Sequence, residues 1–298
     1  MPPGFTRIGL IGKVEDARVA DSMAALARQL LERGCSVSTE AAGGAELLPE
    51  VVRRCRPGTL AEAVDLIVAV GGDGTMLYAA QLAIGRDIPL LGVNRGRLGF
   101  LTDVSPDHMR DSLDALLNGR CTADRRRLLA ARLTRADHAA TGCRALNDIV
   151  VRRDEGGRMI ELETWIDGRF VNTHGGDGLV IASSTGSTAY ALSCGGPIVH
   201  PSLDTLVIAP ISPHTLSDRP LVVGADSRVE VRLVSRSATH AQVTGDGLPL
   251  GALDDGVALA VTLSAESVTL LHPPGYDYYR LLRSKLHWGR SARNAADP

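Results

Sequence analysis

The chain has 298 residues, with Lys+Arg 32 against Asp+Glu 34 and a formal charge of -2, so it carries no global basic footprint for nucleic acid or an anionic membrane. At 44% hydrophobic and 22% charged residues it has a globular balance that excludes a disordered or collagen-like chain, and at roughly 150 residues per domain its length suits two domains. Aromatic residues make up only 3%, so the core must be built from Leu, Val, Ile and Ala, which suits sheets packed on helices better than base-stacking platforms.

In chain order, the apolar runs at 7–12, 65–70 and 88–93 are strand-sized, and helical spacing with a glycine stop predicts helices over 20–33, 75–84 and 106–117. Strand-helix-strand order with unbroken apolar strands implies a parallel sheet covered on both faces. From about Leu128 the pattern changes to alternation of apolar and polar residues, clearest at 228–234. The segment 159–166, followed by Asp167-Gly168 and then 169–171, reads as a hairpin on an Asp-Gly turn. Further strands are expected at 147–153, 178–182, 205–209, 257–263 and 267–271, giving a mainly β half of two packed sheets. Helical spacing returns over 276–288, and 291–298 reads as a frayed tail. The domains predicted are 1–122, an α/β nucleotide-binding domain; 123–272, a β-rich domain; and 273–298, a closing helix and tail.

The five cysteines, Cys35, Cys55, Cys121, Cys143 and Cys194, are too widely spaced for a zinc ribbon or a redox CxxC and read as scattered buried thiols. No metal site is predicted. Neither a cleavable leader nor an apolar run of about 18 residues is apparent, so the expected location is cytoplasmic.

The most informative segment is Gly71-Gly72-Asp73-Gly74-Thr75, directly between the strand 65–70 and a helix. Glycines there let backbone N–H groups approach an anion, and the following helix adds its positive end. A tight turn that tolerates glycine is the simpler alternative. The acid at Asp73 argues against that, because a carboxylate beside phosphates is unfavourable unless it holds a metal or accepts a proton from an attacking hydroxyl. The P-loop fails, since Gly12-Lys13 has Arg7 at the first glycine position and Val14 at the hydroxyl position; the GxGxxG fingerprint fails because Leu77 stands where the third small residue belongs.

Asn94-Arg95-Gly96-Arg97 follows a parallel strand and so belongs to the same sheet edge as the glycine loop, where its arginines could neutralise phosphate or be plain surface charges. Asn147-Asp148 could read a base edge and bind ribose hydroxyls, or form a turn. Residues 182–193, Ala-Ser-Ser-Thr-Gly-Ser-Thr-Ala-Tyr-Ala-Leu-Ser, hold too many hydroxyls for an apolar core, so these must face a ligand, water or each other. No GxSxG elbow occurs, which removes a serine hydrolase.

Over nearly its whole length the chain resembles the NAD kinase (ATP-NAD kinase) family, through Gly71-Gly72-Asp73-Gly74-Thr75-Met76-Leu77, the run from Gly92 to Asp103, Asn147-Asp148 and Thr185-Gly186-Ser187-Thr188-Ala189-Tyr190-Ala191-Leu192-Ser193. The first motif alone is shared with diacylglycerol and sphingosine kinases. The resemblance implies an α/β N-terminal domain, a mainly β C-terminal domain and a last helix returning to the first. It implies NAD and ATP as substrates, Mg²⁺ carried with ATP, and a homodimer or homotetramer with NAD reaching across a contact between copies. It makes Asp73 the acid that orients and deprotonates the 2′-hydroxyl of the adenosine ribose. Gly72, Gly74, Asn147, Asp148, Arg158, Gly175, Asp177, Thr188, Ala189, Tyr190, Ala191, Leu192 and Ser193 would line the nucleotide site.

Three positions depart from the family pattern: Ser184 replaces a common proline, Leu248 a polar residue, and Gly175 a basic one. The last suggests that NADH is accepted as well as NAD, or that glycine merely permits a turn before Gly176. A lipid kinase using the same loop and a non-catalytic dinucleotide sensor are the alternatives to a kinase acting on NAD.

Overall fold

The computed structural model describes residues 4–40, 48–96, 99–135, 139–154, 159–234 and 240–288. The predicted tail, Arg97 and Arg158 lie outside these. The chain divides into two compact units, one formed by residues 1–124 and 268–298 and the other by 125–267.

The first unit is an α/β layer structure. Strands β1 (Arg7–Gly12), β2 (Ser36–Glu40), β3 (Arg53–Cys55), β4 (Leu66–Gly71) and β5 (Leu90–Asn94) pair in parallel in the order 3-2-1-4-5. Residue Leu270 of the returning chain pairs with Leu90. Helices α1 (Ala17–Glu32) and α3 (Met109–Leu117) bury Met23, Leu26, Leu30, Leu113 and Leu116 against Ile8, Leu10, Val68 and Val93. On the other side, Leu60 sits within van der Waals reach of Gly9, where any Cβ would crowd it, and α2 (Asp73–Ala83) packs on β4. The expected two-faced cover is therefore present.

Helix α1 begins at Ala17, earlier than apolar spacing indicates, because the Asp16 carboxylate accepts from the N–H of Arg18 at 3.0 Å and caps it. The strands β2 and β3 escape sequence reading because Ser36-Val37-Ser38-Thr39-Glu40 is polar; the Thr39 hydroxyl is buried yet donates to the Leu10 carbonyl at 2.8 Å. The C-terminal helix (Tyr278–Leu286) belongs to this unit, buries Leu281 and Leu282, and places the Lys285 ammonium 5.2 Å from the Phe100 ring centre.

The second unit packs two sheets face to face. One comprises β7 (Thr141–Ala145), β9 (Ile160–Ile166), β10 (Arg169–Gly176), β14 (Val229–Leu233) and the parts of β6 (Thr122–Arg135) and β17 (Val257–His272) that fall within 125–267; the other β8 (Asp148–Arg153), β11 (Gly178–Ser183), β12 (Thr205–Ile211), β13 (Leu221–Gly224), β15 (Ala241–Gly245) and β16 (Leu248–Leu253). Leu162, Val231 and Leu259 from the first meet Ile149, Ile181 and Val243 from the second in one apolar core. The Asp167-Gly168 turn has φ of 51° and 74°, as its hairpin requires.

The two strands expected at 257–263 and 267–271 are one continuous strand, β17. Its polar middle looks like a turn but is held extended by side chains of its neighbours. Arg127 Nε donates to the Ser264 carbonyl at 2.9 Å, Arg144 pairs with Glu266, and Arg125 reaches the Ser267 hydroxyl. Among the described residues no helix is long and apolar enough to cross a membrane.

Candidate functional site

In the first unit the site is built where β4 ends and α2 begins. Gly71 is paired with Asn94 across β4 and β5, so the glycine loop and the 94–102 segment share one sheet edge. Asp73 is the first residue of α2 and half-buried, a favourable place for a carboxylate at the positive end of a helix. Its Oδ2 accepts from the N–H of Phe100 at 2.9 Å, and its Oδ1 from the N–H of Leu101 at 3.0 Å and the hydroxyl of Thr102 at 3.3 Å.

The glycines of this loop differ in purpose. Gly71 has φ 157°, and a Cβ there would fall on Thr75. Gly72 and Gly74 have ordinary φ and nothing within 4 Å of where a Cβ would stand. Neither backbone geometry nor packing requires glycine at 72 and 74. They leave an open approach to the backbone at the start of α2, the property a phosphate site needs.

Arg95 is half-buried and its Nε donates to the Arg18 carbonyl at 2.9 Å, so part of its guanidinium is held by the protein's own backbone. Among the described residues no group of three or more His, Cys, Asp or Glu side chains could hold a metal ion.

In the second unit Asn147 and Asp148 open β8. The Asp246 carboxylate grips the backbone leading into it, accepting from the N–H groups of Leu146 (2.7 Å), Asn147 (2.8 Å) and Asp148 (3.2 Å). Asp246 stands at φ 48° in the Asp-Gly turn between β15 and β16. Its carboxylate therefore acts inside the protein, while the neighbouring Leu248 is exposed. Asp148 is 7% exposed. Burial, followed by the negative charge of Asp246, pushes its pKa up to about 7.

The charge of Asp148 also reaches Tyr190 and Cys194, both held above their ordinary pKa chiefly by burial. Asn147-Asp148 and α4 (Tyr190–Ser193) thus lie together. Asp177 is paired with Arg153, whose Nε lies 2.5 Å from its Oδ1, and that guanidinium holds its carboxyl below the usual carboxylate range.

The small-hydroxyl run divides into two parts. Ser183, Ser184, Thr185 and Ser187 are buried, and the structure turns their hydroxyls inward: Ser183 Oγ donates to the Leu146 carbonyl at 2.5 Å, and Ser187 Oγ donates to the Ser184 carbonyl at 2.7 Å and accepts from the N–H of Val199 at 3.0 Å. Ser184, where a proline is common in the family, bonds the Leu203 carbonyl and the Thr205 hydroxyl. Beyond this support the chain becomes accessible. Thr188, Ala189, Tyr190 and Leu192 are half-buried and Ser193 is exposed, with only Ala191 fully enclosed.

Gly175 lies inside β10 opposite Glu161 and has no positive φ. The alternative in which glycine is needed for a turn is therefore wrong; a Cβ would instead sit 3.1 Å from the Met159 sulfur.

The model of the ATP-NAD kinase N-terminal domain matches residues 8–121 and that of the ATP-NAD kinase C-terminal domain matches residues 146–272. The chain is 43% identical over 288 residues to the NAD kinase of Methylococcus capsulatus, covering 97% of this chain and 99% of the relative. The chain belongs to the NAD kinase family. The NAD kinase of Nitrosococcus oceani is 44% identical over 294 residues, with 97% and 99% covered. Among solved structures, yeast NADH kinase complexed with NADH shares the fold at a TM-score of 0.88 and 24% identity, covering 97% of this chain and 90% of that one. An NAD kinase from Archaeoglobus fulgidus in complex with ATP matches at 0.67 and 26% identity, covering 95% and 98%. Two features of the site have no counterpart in the sequence reading: Asp246 as a brace for 146–148, and the 99–102 segment as the partner of Asp73. The Asp-Gly turn was the available signal for the first; nothing local signals the second.

Proposed function

We propose that the protein transfers the γ-phosphoryl group of ATP to the 2′-hydroxyl of the adenosine ribose of NAD, forming NADP. The observation that carries this reading is Asp73, a carboxylate fixed at the start of α2 beside two glycines that neither fold nor packing demands. The near-full-length relatives at 43–44% identity, named NAD kinases, support it.

Asp73 orients the hydroxyl and takes its proton as the O2′–Pγ bond forms and the bond from Pγ to the ADP oxygen breaks. The backbone around Gly72 and Gly74 receives the phosphates. Mg²⁺ would be carried with the triphosphate, where it would neutralise phosphate charge without a dedicated protein cage. Asn147, Asp148, Asp177, Gly175 and the run from Thr188 to Ser193 position NAD, with Arg158 as a further contact. Asp148 supplies a carboxylate to accept from ligand hydroxyls. The protein works as a homodimer or homotetramer in the cytoplasm.

Purified protein with ATP, Mg²⁺ and NAD should yield NADP, and Asp73→Asn should lower kcat by roughly 10²–10⁴-fold with NAD affinity little changed. Turnover of diacylglycerol without turnover of NAD would make it a lipid kinase, and tight NAD binding without turnover a sensor. Near-normal kcat in Asp73→Asn would remove the base assignment. Light scattering after size exclusion tests the oligomer.

A further inference from the structure

We propose that residues 99–102 and Asn94 form a positioning element for the Asp73 base, acting on the carboxylate and not on substrate; the inference rests on the phosphoryl-transfer reading above. Oδ1 of Asp73 receives two donors from this segment and Oδ2 receives one. A carboxylate oxygen has two acceptor sites, so among the described residues Oδ2 keeps one for the proton of an incoming hydroxyl, while the three bonds resist rotation of the group.

The support is itself supported. Thr102 is fully buried and its hydroxyl accepts from Asn94 Nδ2 at 3.1 Å, which leaves its hydrogen for Asp73. Asn94 is 4% exposed, and its Oδ1 accepts from the N–H of Gly96 at 2.9 Å, fixing which way the amide faces. Gly99 completes the element by what it lacks. A Cβ at 99 would overlap Asp73 Oδ1 and lie 2.5 Å from Thr102 Oγ1. The position is glycine because the carboxylate occupies the space. A base displaced by about an ångström loses on the order of 10²-fold in rate.

A double-mutant cycle tests this. Gly99→Ala should lower kcat by about 10²-fold while KM for NAD and for ATP each move less than about 3-fold, since positioning is lost and substrate binding is not. In the Asp73→Asn background the same change should cost less than about 3-fold more, because residues acting as a unit are non-additive. Thr102→Val should lower kcat in the same selective way, and Thr102→Ser should restore it. Unchanged kcat in Gly99→Ala, an equal loss in both backgrounds, or a loss confined to KM each overturns the proposal. A crystal structure of Gly99→Ala decides the point apart from turnover: the carboxylate should have left the N–H groups of Phe100 and Leu101, and finding it still seated there overturns the proposal. Failure of the unsubstituted protein to form NADP instead overturns the phosphoryl-transfer reading.

Discussion

The Asp246 carboxylate holds the backbone N–H of Asn147 at 2.8 Å across a sequence separation of 99 residues. The Asp246 N–H in turn donates to the Asp148 carbonyl at 3.0 Å, so the turn and the start of β8 are locked reciprocally. Position 147 is thereby set by a residue that belongs to another hairpin.

Asp246→Asn keeps a side chain that tolerates φ 48° but removes the charge. With hydrogen bonds to a charged group contributing about 1.5–3 kcal/mol, this variant should lose on the order of 1–2 kcal/mol in urea unfolding and bind NAD more weakly. Asp246→Ala should lose more, because alanine is strained at that φ. Equal stability and equal KM for NAD in all three proteins would show that the grip on 146–148 is incidental.

Asp148 should make NAD binding pH-dependent. Its folded pKa is raised to about 7 from 3.8, so the folded protein holds a proton that the unfolded chain has released, and stability from this group falls as pH rises through that window. Ligand hydroxyls that donate to the carboxylate favour its ionised form, so NAD binding near pH 7 should release a proton. Calorimetry in buffers of different ionisation enthalpy should detect that release, and it should vanish in Asp148→Asn. The same variant should melt several degrees higher than the parent at pH 8, at roughly 2–4 °C per kcal/mol for a unit of this size, with the gap shrinking as pH falls and closing only below about pH 4. Asp148→Ala should weaken NAD binding by about 1.5–3 kcal/mol.

His272 is 2% exposed, with Nδ1 2.9 Å from Asp103 and Nε2 3.5 Å from Asp124, and its ring is stacked on Tyr276 at 3.7 Å. Burial pulls its pKa down, but the hydrogen bond to Asp103 and the nearby carboxylates of Asp103 and Asp124 outweigh that and raise it above 6.5. A raised folded pKa contributes stability that is complete below about pH 6.5 and lost as pH rises through the folded value. His272→Gln should therefore lower Tm most at pH 6, with the gap to the parent narrowing above the folded pKa. A gap constant from pH 6 to pH 9 would show that His272 stays neutral.

Gly175→Arg should fold, because the group its Cβ meets is the flexible end of the exposed Met159. The unsubstituted enzyme should phosphorylate NADH as well as NAD, and the arginine should sharpen the preference between them by adding a charge that the two nicotinamide forms meet differently. Strict NAD selectivity in the parent, measured as kcat/KM for each, would end this expectation.

The sequence by itself determined the strand, glycine loop and helix around Asp73, the parallel first unit, the alternating second one and the family, because periodicity, glycine stops and short motifs are local signals. It also marked Asn147-Asp148 and Thr188 to Ser193 as chemically unusual. Only the tertiary structure decided that Ser183 to Ser187 turn their hydroxyls inward as scaffold, that 257–272 is one strand, and that glycine at 175 is not there for a turn. It alone joined Asp73 to Phe100 and Leu101, 27 and 28 positions away, and Asp246 to residues 98–100 positions earlier. The physical reason is that a half-buried carboxylate takes its donors from whichever backbone the packed core brings beside it, and no periodic pattern records that choice.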